Sequence, residues 1–257
     1  MAHKNLDYFL EKYSYKISKL AQVGAHFGQE LASFDKLNIE KIYLFEPNEA
    51  ALEELNKKIK NKKKFTVLPY ALGNKNSRTQ IFHSIENDGQ SSSLLKPKLH
   101  KYVQPKINFD ESFEVELRRF EDLEIEDINF LIMDVQGFEL EVLKGFGKKL
   151  FSVNFIFTEV NRDYLYEDNV LINELDTYLE SKKYIRIWTT WRTADMPWGD
   201  AFYIKETEIS KFQKILFKLK NFITTNRVFF TIYRILDIRV LKKRINSIKL
   251  KFFCLFE

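Results

Sequence analysis

Cysteine is nearly absent. The 257 residues contain one, Cys254, so no disulfide can form within the chain and a reducing compartment is expected. Four histidines beside a single thiol are too few to expect a Cys/His zinc site. With 8 glycines and 5 prolines, the chain lacks the turn residues of a many-hairpin β-protein. No run approaches the roughly 18 apolar residues of a membrane span. The opening residues, MAHKNLDYFLEKY, lack the apolar stretch of a signal peptide. Together these point to a cytoplasmic protein.

What is present is a core. At 45% hydrophobic and 30% charged residues, the composition is globular. The charge is uneven. From Lys205 onward there are 13 Lys+Arg against 4 Asp+Glu, a net of +9, and the preceding residues carry a net of −4. The overall +5 is therefore a property of the tail. A slightly acidic main body argues against nucleic acid as the partner.

Residues 4–18 place Leu6, Phe9, Leu10, Tyr13 and Ile17 at helical spacing. KLAQVGAHFGQELASF reads as a strand, a glycine turn and a helix from about Gln29. KIYLFEPN is a second strand, EAALEELNKKIKN a helix and KFTVLPYALG a third strand. This alternation predicts a parallel α/β sheet with helices on both faces. SRTQIFHS and SFEVELRRF are strands flanking a polar insert of about 85–114, long enough for a lid or binding loop. The rhythm returns with FLIMDVQGFELEVLKGF, VNFIFTEV and the helix LINELDTYLESKK. YIRIWTTW and GDAFYIK close it as an antiparallel pair. A first domain over 1–205 and a basic, amphipathic helical extension over 206–257 follow. In the extension Ile209, Phe212, Leu216, Leu219 and Ile223 recur at helical spacing, as do Phe229, Ile232, Tyr233, Leu236 and Val240.

Three features mark a crevice. Open parallel sheets bind ligands at the carboxyl ends of their strands, near the point where strand order reverses. Asp134 ends a buried run, Phe130–Met133, just before Gly137 and a new helix. Such a carboxylate either caps that helix or reaches the crevice. Gly24 and Gly28 lie in a strand-to-helix turn without the G-x-G-x-x-G pattern. They suit an ordinary turn or the close approach of a ligand to backbone. Glu46 ends the second strand, where an acidic residue can accept both hydroxyls of a ribose; otherwise it is a surface residue before Pro47.

VGAHFGQ, LFEPN, YALGN, SSSLL, LIMDVQGFELEVLKG, FTEV and WGDAFYI occur in the order and spacing of the FkbM-type S-adenosylmethionine-dependent methyltransferases. The chain resembles that family over roughly 21–205, and DVQGFELEVLKG is the most specific block. One position departs from the methyltransferase pattern: Gln22 stands where an acidic residue usually precedes the glycine turn. The resemblance implies a Rossmann-like domain that O-methylates a sugar, glycan or glycosylated small molecule. It implies that Gly24, Ala25 and Gly28 border the cofactor's methionine part. Glu46 would hold the ribose, Ala71 and Leu72 would lie near the adenine, and Asp134 near the reacting methyl.

Transfer to a hydroxyl needs alignment and a proton acceptor. Asp134 is the first candidate base and His26 the second, although a lone histidine is more often a packing or hydrogen-bonding residue. Glu159, at the end of the fifth strand, Ser91, Ser92 and Ser93 of the insert, and Trp198 are candidate substrate-binding residues. Trp188, Trp191 and Trp198 cluster near the last strands, where at least two are expected in the core. Asp134 and Glu159 could jointly hold a divalent metal, but two carboxylates do not establish a site and none is assigned. For the tail, an anionic membrane surface competes with packing on the enzyme's own body or a second subunit. A membrane contact would place the enzyme peripherally at the inner membrane surface. An NAD-dependent enzyme, a non-catalytic binding module and a nucleic-acid methyltransferase are the competing functional classes.

Overall fold

The computed structural model describes residues 2–191 and 196–225. The chain divides into two units, Met1–Ser210 and Lys211–Glu257.

The first unit opens with helix α1 (Ala2–Tyr13), whose Leu6, Phe9 and Leu10 are buried. Strand β1 (Lys19–Val23) and the short helix α2 (Leu31–Asp35) follow. Next come β2 (Lys41–Phe45) and α3 (Glu49–Ile59). Asn48 caps α3 by accepting the Ala51 N–H at 3.2 Å, the standard way to satisfy a first-turn donor. Strands β3 (Phe65–Leu68), β4 (Ala71–Leu72) and β5 (Ser77–His83) follow. The insert carries α4 (His100–Val103) and ends at β6 (Glu111–Arg118). Strand β7 (Phe130–Met133) leads into α5 (Glu139–Gly145). The unit closes with β8 (Phe155–Asn161), α6 (Ile172–Ser181), β9 (Tyr184–Trp191) and β10 (Trp198–Lys205).

Seven strands form one sheet in the order β3-β2-β1-β7-β8-β10-β9. The pairs from β3 through β8 are parallel, and β10 runs antiparallel to both neighbours. Strand order reverses between β1 and β7, so the crevice opens at the carboxyl ends of those two strands. Alternate side chains enter two cores. Ala21, Val23, Leu131 and Met133 face one, with Val142 of α5 and Leu175 of α6. Leu20, Phe130 and Ile132 face the other, with Phe9 of α1 and Leu55 of α3. Burial on both faces explains why these strands read as unbroken apolar runs.

KFTVLPYALG is not one strand. It breaks at Pro69-Tyr70, and β4 joins a second, three-stranded sheet in the order β4-β6-β5. Proline has no N–H to continue the ladder, so the chain leaves the main sheet there. The polar insert is also shorter than expected at its far end, because pairing of β6 with β5 begins at Glu111. Gly145, the last residue of α5, lies against the backbone of Gly73: a Cβ there would overlap the Gly73 carbonyl oxygen. The helix thereby abuts the exit of β4 without an intervening side chain.

A short turn after β10 is tied to the start of the chain by the Lys16–Glu208 ion pair at 2.7 Å. Ile209 packs against the second core and so does not belong to a helical seam of the tail. In the second unit, α7 (Lys211–Thr225) exposes Phe212, Ile215, Leu216 and Leu219. The side chain of Ile223, the stripe Phe229 to Val240 and Cys254 lie outside the described residues. No described helix is long and apolar enough to cross a membrane.

Candidate active site

A cavity of about 420 Å³ opens at the point where strand order reverses. Small-molecule sites typically measure roughly 300–1,000 Å³, so it is large enough for one.

The wall at β1 and β2 is set by backbone. The N–H groups of Gly24 and Ala25 both donate to the Phe45 carbonyl at 3.0 Å, which folds the turn over the end of β2. Gly24 has φ +81, and a Cβ on it would overlap the Asp134 carbonyl oxygen. Only glycine meets both demands. Glu46 is buried, and its carboxylate accepts the His26 N–H at 2.8 Å and the Asn48 N–H at 2.9 Å. Burial pushes its carboxyl up, and the two backbone donors partly offset that.

His26 stands at φ +46 in the same turn. The Gln29 amide donates to Nδ1 at 2.8 Å, and Nε2 lies 2.6 Å from the Asp88 carbonyl. This pairing suits a neutral ring protonated on Nε2, which donates to Asp88. Both nitrogens are then occupied, so His26 is a tether between the glycine turn and the insert.

The opposite wall is set by side chains. Gln136, at φ +52, follows the end of β7. Its amide donates to Asp134 Oδ1 at 2.6 Å and, more weakly, to Glu159 Oε2 at 3.4 Å. Its Oε1 accepts the Tyr166 hydroxyl at 3.0 Å, and its carbonyl accepts the Ser93 hydroxyl at 2.8 Å. The Tyr166 hydroxyl also donates to the Ser91 carbonyl at 2.8 Å. Burial, reinforced by the nearby carboxylates Glu159, Asp134 and Glu139, pushes that hydroxyl well above its ordinary range, so it remains a donor. Below the turn, Oε1 of buried Glu139 accepts the N–H groups of Val135 and Gly137 at 3.3 and 3.1 Å. The Glu139 carboxylate therefore holds the turn that leads into α5, and the N-cap residue Phe138 makes no side-chain cap bond. The Asp134 side chain is exposed and lines the cavity.

Ser91, Ser92 and Ser93 line the cavity too; the hydroxyls of Ser91 and Ser92 bond within the insert or at its start, and that of Ser93 ties the insert to Gln136. Ser91 accepts from Asn87 at 2.8 Å, and Ser92 meets His83 at 3.0 Å while accepting the Ser84 N–H at 3.1 Å. Leu72, Ala71 and Trp198 lie in the lining, with Trp198 packed on Leu165 and Tyr166. Trp188 and Trp191 pack against the two main cores instead. Two expected cofactor residues do not line the cavity. Ala25 is buried in the second core, and Gly28 faces Leu31 and Leu55. The turn needs them for packing.

Gln136, Tyr166 and His100 were not legible as site residues. Gln136 lies inside the most distinctive block of the sequence, so its neighbours were the available signal. Tyr166 and His100 reach the site through long-range packing that no local pattern announces. His100 lines the cavity from α4, and burial holds its imidazole below the usual range. Among the described residues, no group of three or more His, Cys, Asp or Glu could hold a metal ion.

A family model described as the methyltransferase FkbM domain matches residues 22–186. The chain belongs to the FkbM methyltransferase family. It is an S-adenosylmethionine-dependent methyltransferase with a Rossmann-like fold. The 2-O-methyltransferase NoeI of Sinorhizobium fredii (strain NBRC 101917 / NGR234) is 27% identical over 173 residues, 63% of this chain and 71% of that one. The FkbM methyltransferase of Methylobacillus flagellatus KT has a similar fold, with a TM-score of 0.50 and 18% identity. That likeness covers 73% of this chain but only 43% of the other, so this FkbM methyltransferase spans less than half the length of that neighbour.

Proposed function

We propose that the cavity holds S-adenosylmethionine and a sugar or glycan, and that the enzyme methylates one hydroxyl of that acceptor. The observation that carries this is the convergence of Glu46 and Asp134, which directly follow β2 and β7, and of Glu159, near the carboxyl end of β8, on one cavity where strand order reverses. The name of the 27% identical relative, a 2-O-methyltransferase, supports oxygen as the acceptor atom.

The residues present fit the cofactor. Gly24 leaves backbone room that a Cβ would fill, and Glu46 is a buried acceptor fixed by two backbone donors. Each of its oxygens keeps a lone pair for a ribose hydroxyl. Ala71 and Leu72 offer an apolar wall for the adenine. The bound cofactor supplies a methyl group that is already electrophilic. Asp134, oriented by Gln136, takes the proton of the acceptor hydroxyl as its oxygen becomes the nucleophile. Glu159 and Trp198 line the acceptor side, where a carboxylate and an aromatic face suit a sugar. His26 serves as the tether described above, because neither ring nitrogen is left to take a proton.

The test is incubation of the full chain with methyl-labelled S-adenosylmethionine and fractionated cell glycans, followed by mass spectrometry. One added methyl per acceptor, held in a base-stable ether linkage in place of a hydroxyl proton, is the expected product. Label transfer to nitrogen, to nucleic acid or to nothing in the glycan fractions would refute the acceptor class.

A further inference from the structure

Gln22 is the residue at which this chain departs from the usual methyltransferase pattern, and the structure shows what surrounds it. It lines the cavity at the end of β1, and its side chain is only 3% exposed. The amide Nε2–H donates to Glu30 Oε2 at 2.9 Å. That bond fixes which way the amide faces, since turning it over would set its oxygen against a carboxylate oxygen. Oε1 is therefore left buried, and no described residue donates to it. A buried acceptor in that state is unfavourable until a donor arrives. Glu30, which immediately precedes α2, lines the same cavity.

A neutral oxygen and a carboxylate side by side suit a group that is cationic and carries several N–H donors. A primary ammonium has that chemistry. This step rests on the reading that the cavity takes S-adenosylmethionine. Of that cofactor's groups, the adenine amine is neutral, the ribose offers hydroxyls and the sulfonium has no N–H. The α-ammonium of the methionine part is the one that matches. We propose that Gln22 and Glu30 together form the subsite for this ammonium. Glu30 supplies from the start of α2 the negative charge that position 22 lacks, and Gln22 supplies a directed acceptor.

The test is calorimetric titration of the full chain with S-adenosylhomocysteine and with its desamino counterpart, in which hydrogen replaces the α-amino group. The wild type should prefer the amino compound by about tenfold or more, the scale of a charge-assisted hydrogen bond. Glu30→Gln should shrink that preference to about threefold or less by the same reasoning, while the desamino compound binds as before and so reports an intact cavity. Gln22→Glu, which restores a carboxylate at position 22, should keep the preference. If the wild type binds both compounds equally, the cofactor reading stands and this subsite is refuted. If Glu30→Gln retains the full preference, Glu30 is not part of it. If neither compound binds the wild type, the cofactor reading itself falls, and this inference with it.

Discussion

The two walls of the cavity are built by different means. At β1 and β2, backbone amides fix the shape: Gly24 and Ala25 donate to Phe45, and His26 and Asn48 donate to Glu46. At β7 and the insert, side chains do so, through Gln136, Tyr166 and Ser93. A wall fixed by backbone tolerates many side chains but few changes of φ. A wall fixed by side chains is adjustable one hydroxyl at a time. The first suits a cofactor shared by many enzymes, and the second suits an acceptor that differs among them.

Substitutions can separate the walls, beginning with the largest effect. Gly24→Ala breaks the first wall outright, through a left-handed φ and overlap with Asp134 backbone. A loss of about 4 kcal/mol or more is expected, read as a collapse of the urea midpoint or of soluble yield. Asp134→Asn strikes the second wall's chemistry and keeps its shape. Turnover should fall about 10²–10⁴-fold with little change in melting temperature; normal turnover would reduce Asp134 to a structural role. Glu46→Ala should weaken cofactor binding by about 1.5–3 kcal/mol, and unchanged affinity in calorimetry would remove the ribose assignment.

Glu139 tests the turn beneath the second wall through pH. Burial pushes its carboxyl from 4.5 up to about 7 in the fold. The folded state therefore holds this proton more tightly than the unfolded chain. The associated stability is present at low pH and is lost as pH rises from about 4.5 to about 7. Glu139→Gln, which cannot ionise, should flatten that slope by roughly 3 kcal/mol across the window, measured by urea unfolding at several pH values. An unchanged slope would mean Glu139 is not its source. The smallest effect belongs to Tyr166→Phe, which removes the donor shared by Gln136 and Ser91. A stability loss of about 1–2 kcal/mol is expected, with acceptor KM rising more than the cofactor Kd changes. Equal changes in both would erase the distinction between the walls.

The difference between the walls also explains how much the sequence revealed. Glycine spacing, strand-end acids and apolar runs are local, and they located Gly24, Glu46 and Asp134 together with the parallel sheet. Apart from Asp134, the partners of Gln136 (Ser93, Glu159 and Tyr166) lie far along the chain, and Tyr166 in turn reaches Ser91 across 75 positions; no periodicity encodes that. The break at Pro69-Tyr70 was visible as a proline within an apolar run. Its consequence, a second sheet under the insert, depends on pairing with β6 and could not be read locally. The serines of the insert line the cavity as expected, but the bonds of their hydroxyls to Asn87, His83 and Gln136 could not be read from composition. The departure at Gln22 was visible, but its hydrogen bond to Glu30 was not.

Gly145 bears on how genetic data for this enzyme should be interpreted. Any side chain there meets the Gly73 carbonyl, and Gly145 does not line the cavity. In a growth selection across all single substitutions, Gly145 should be depleted as heavily as Asp134. A parallel screen for folded abundance would separate the two, retaining Asp134 variants and discarding those at Gly145. Intolerance to mutation within DVQGFELEVLKG therefore mixes two pressures, and only the abundance screen tells which residues answer to chemistry.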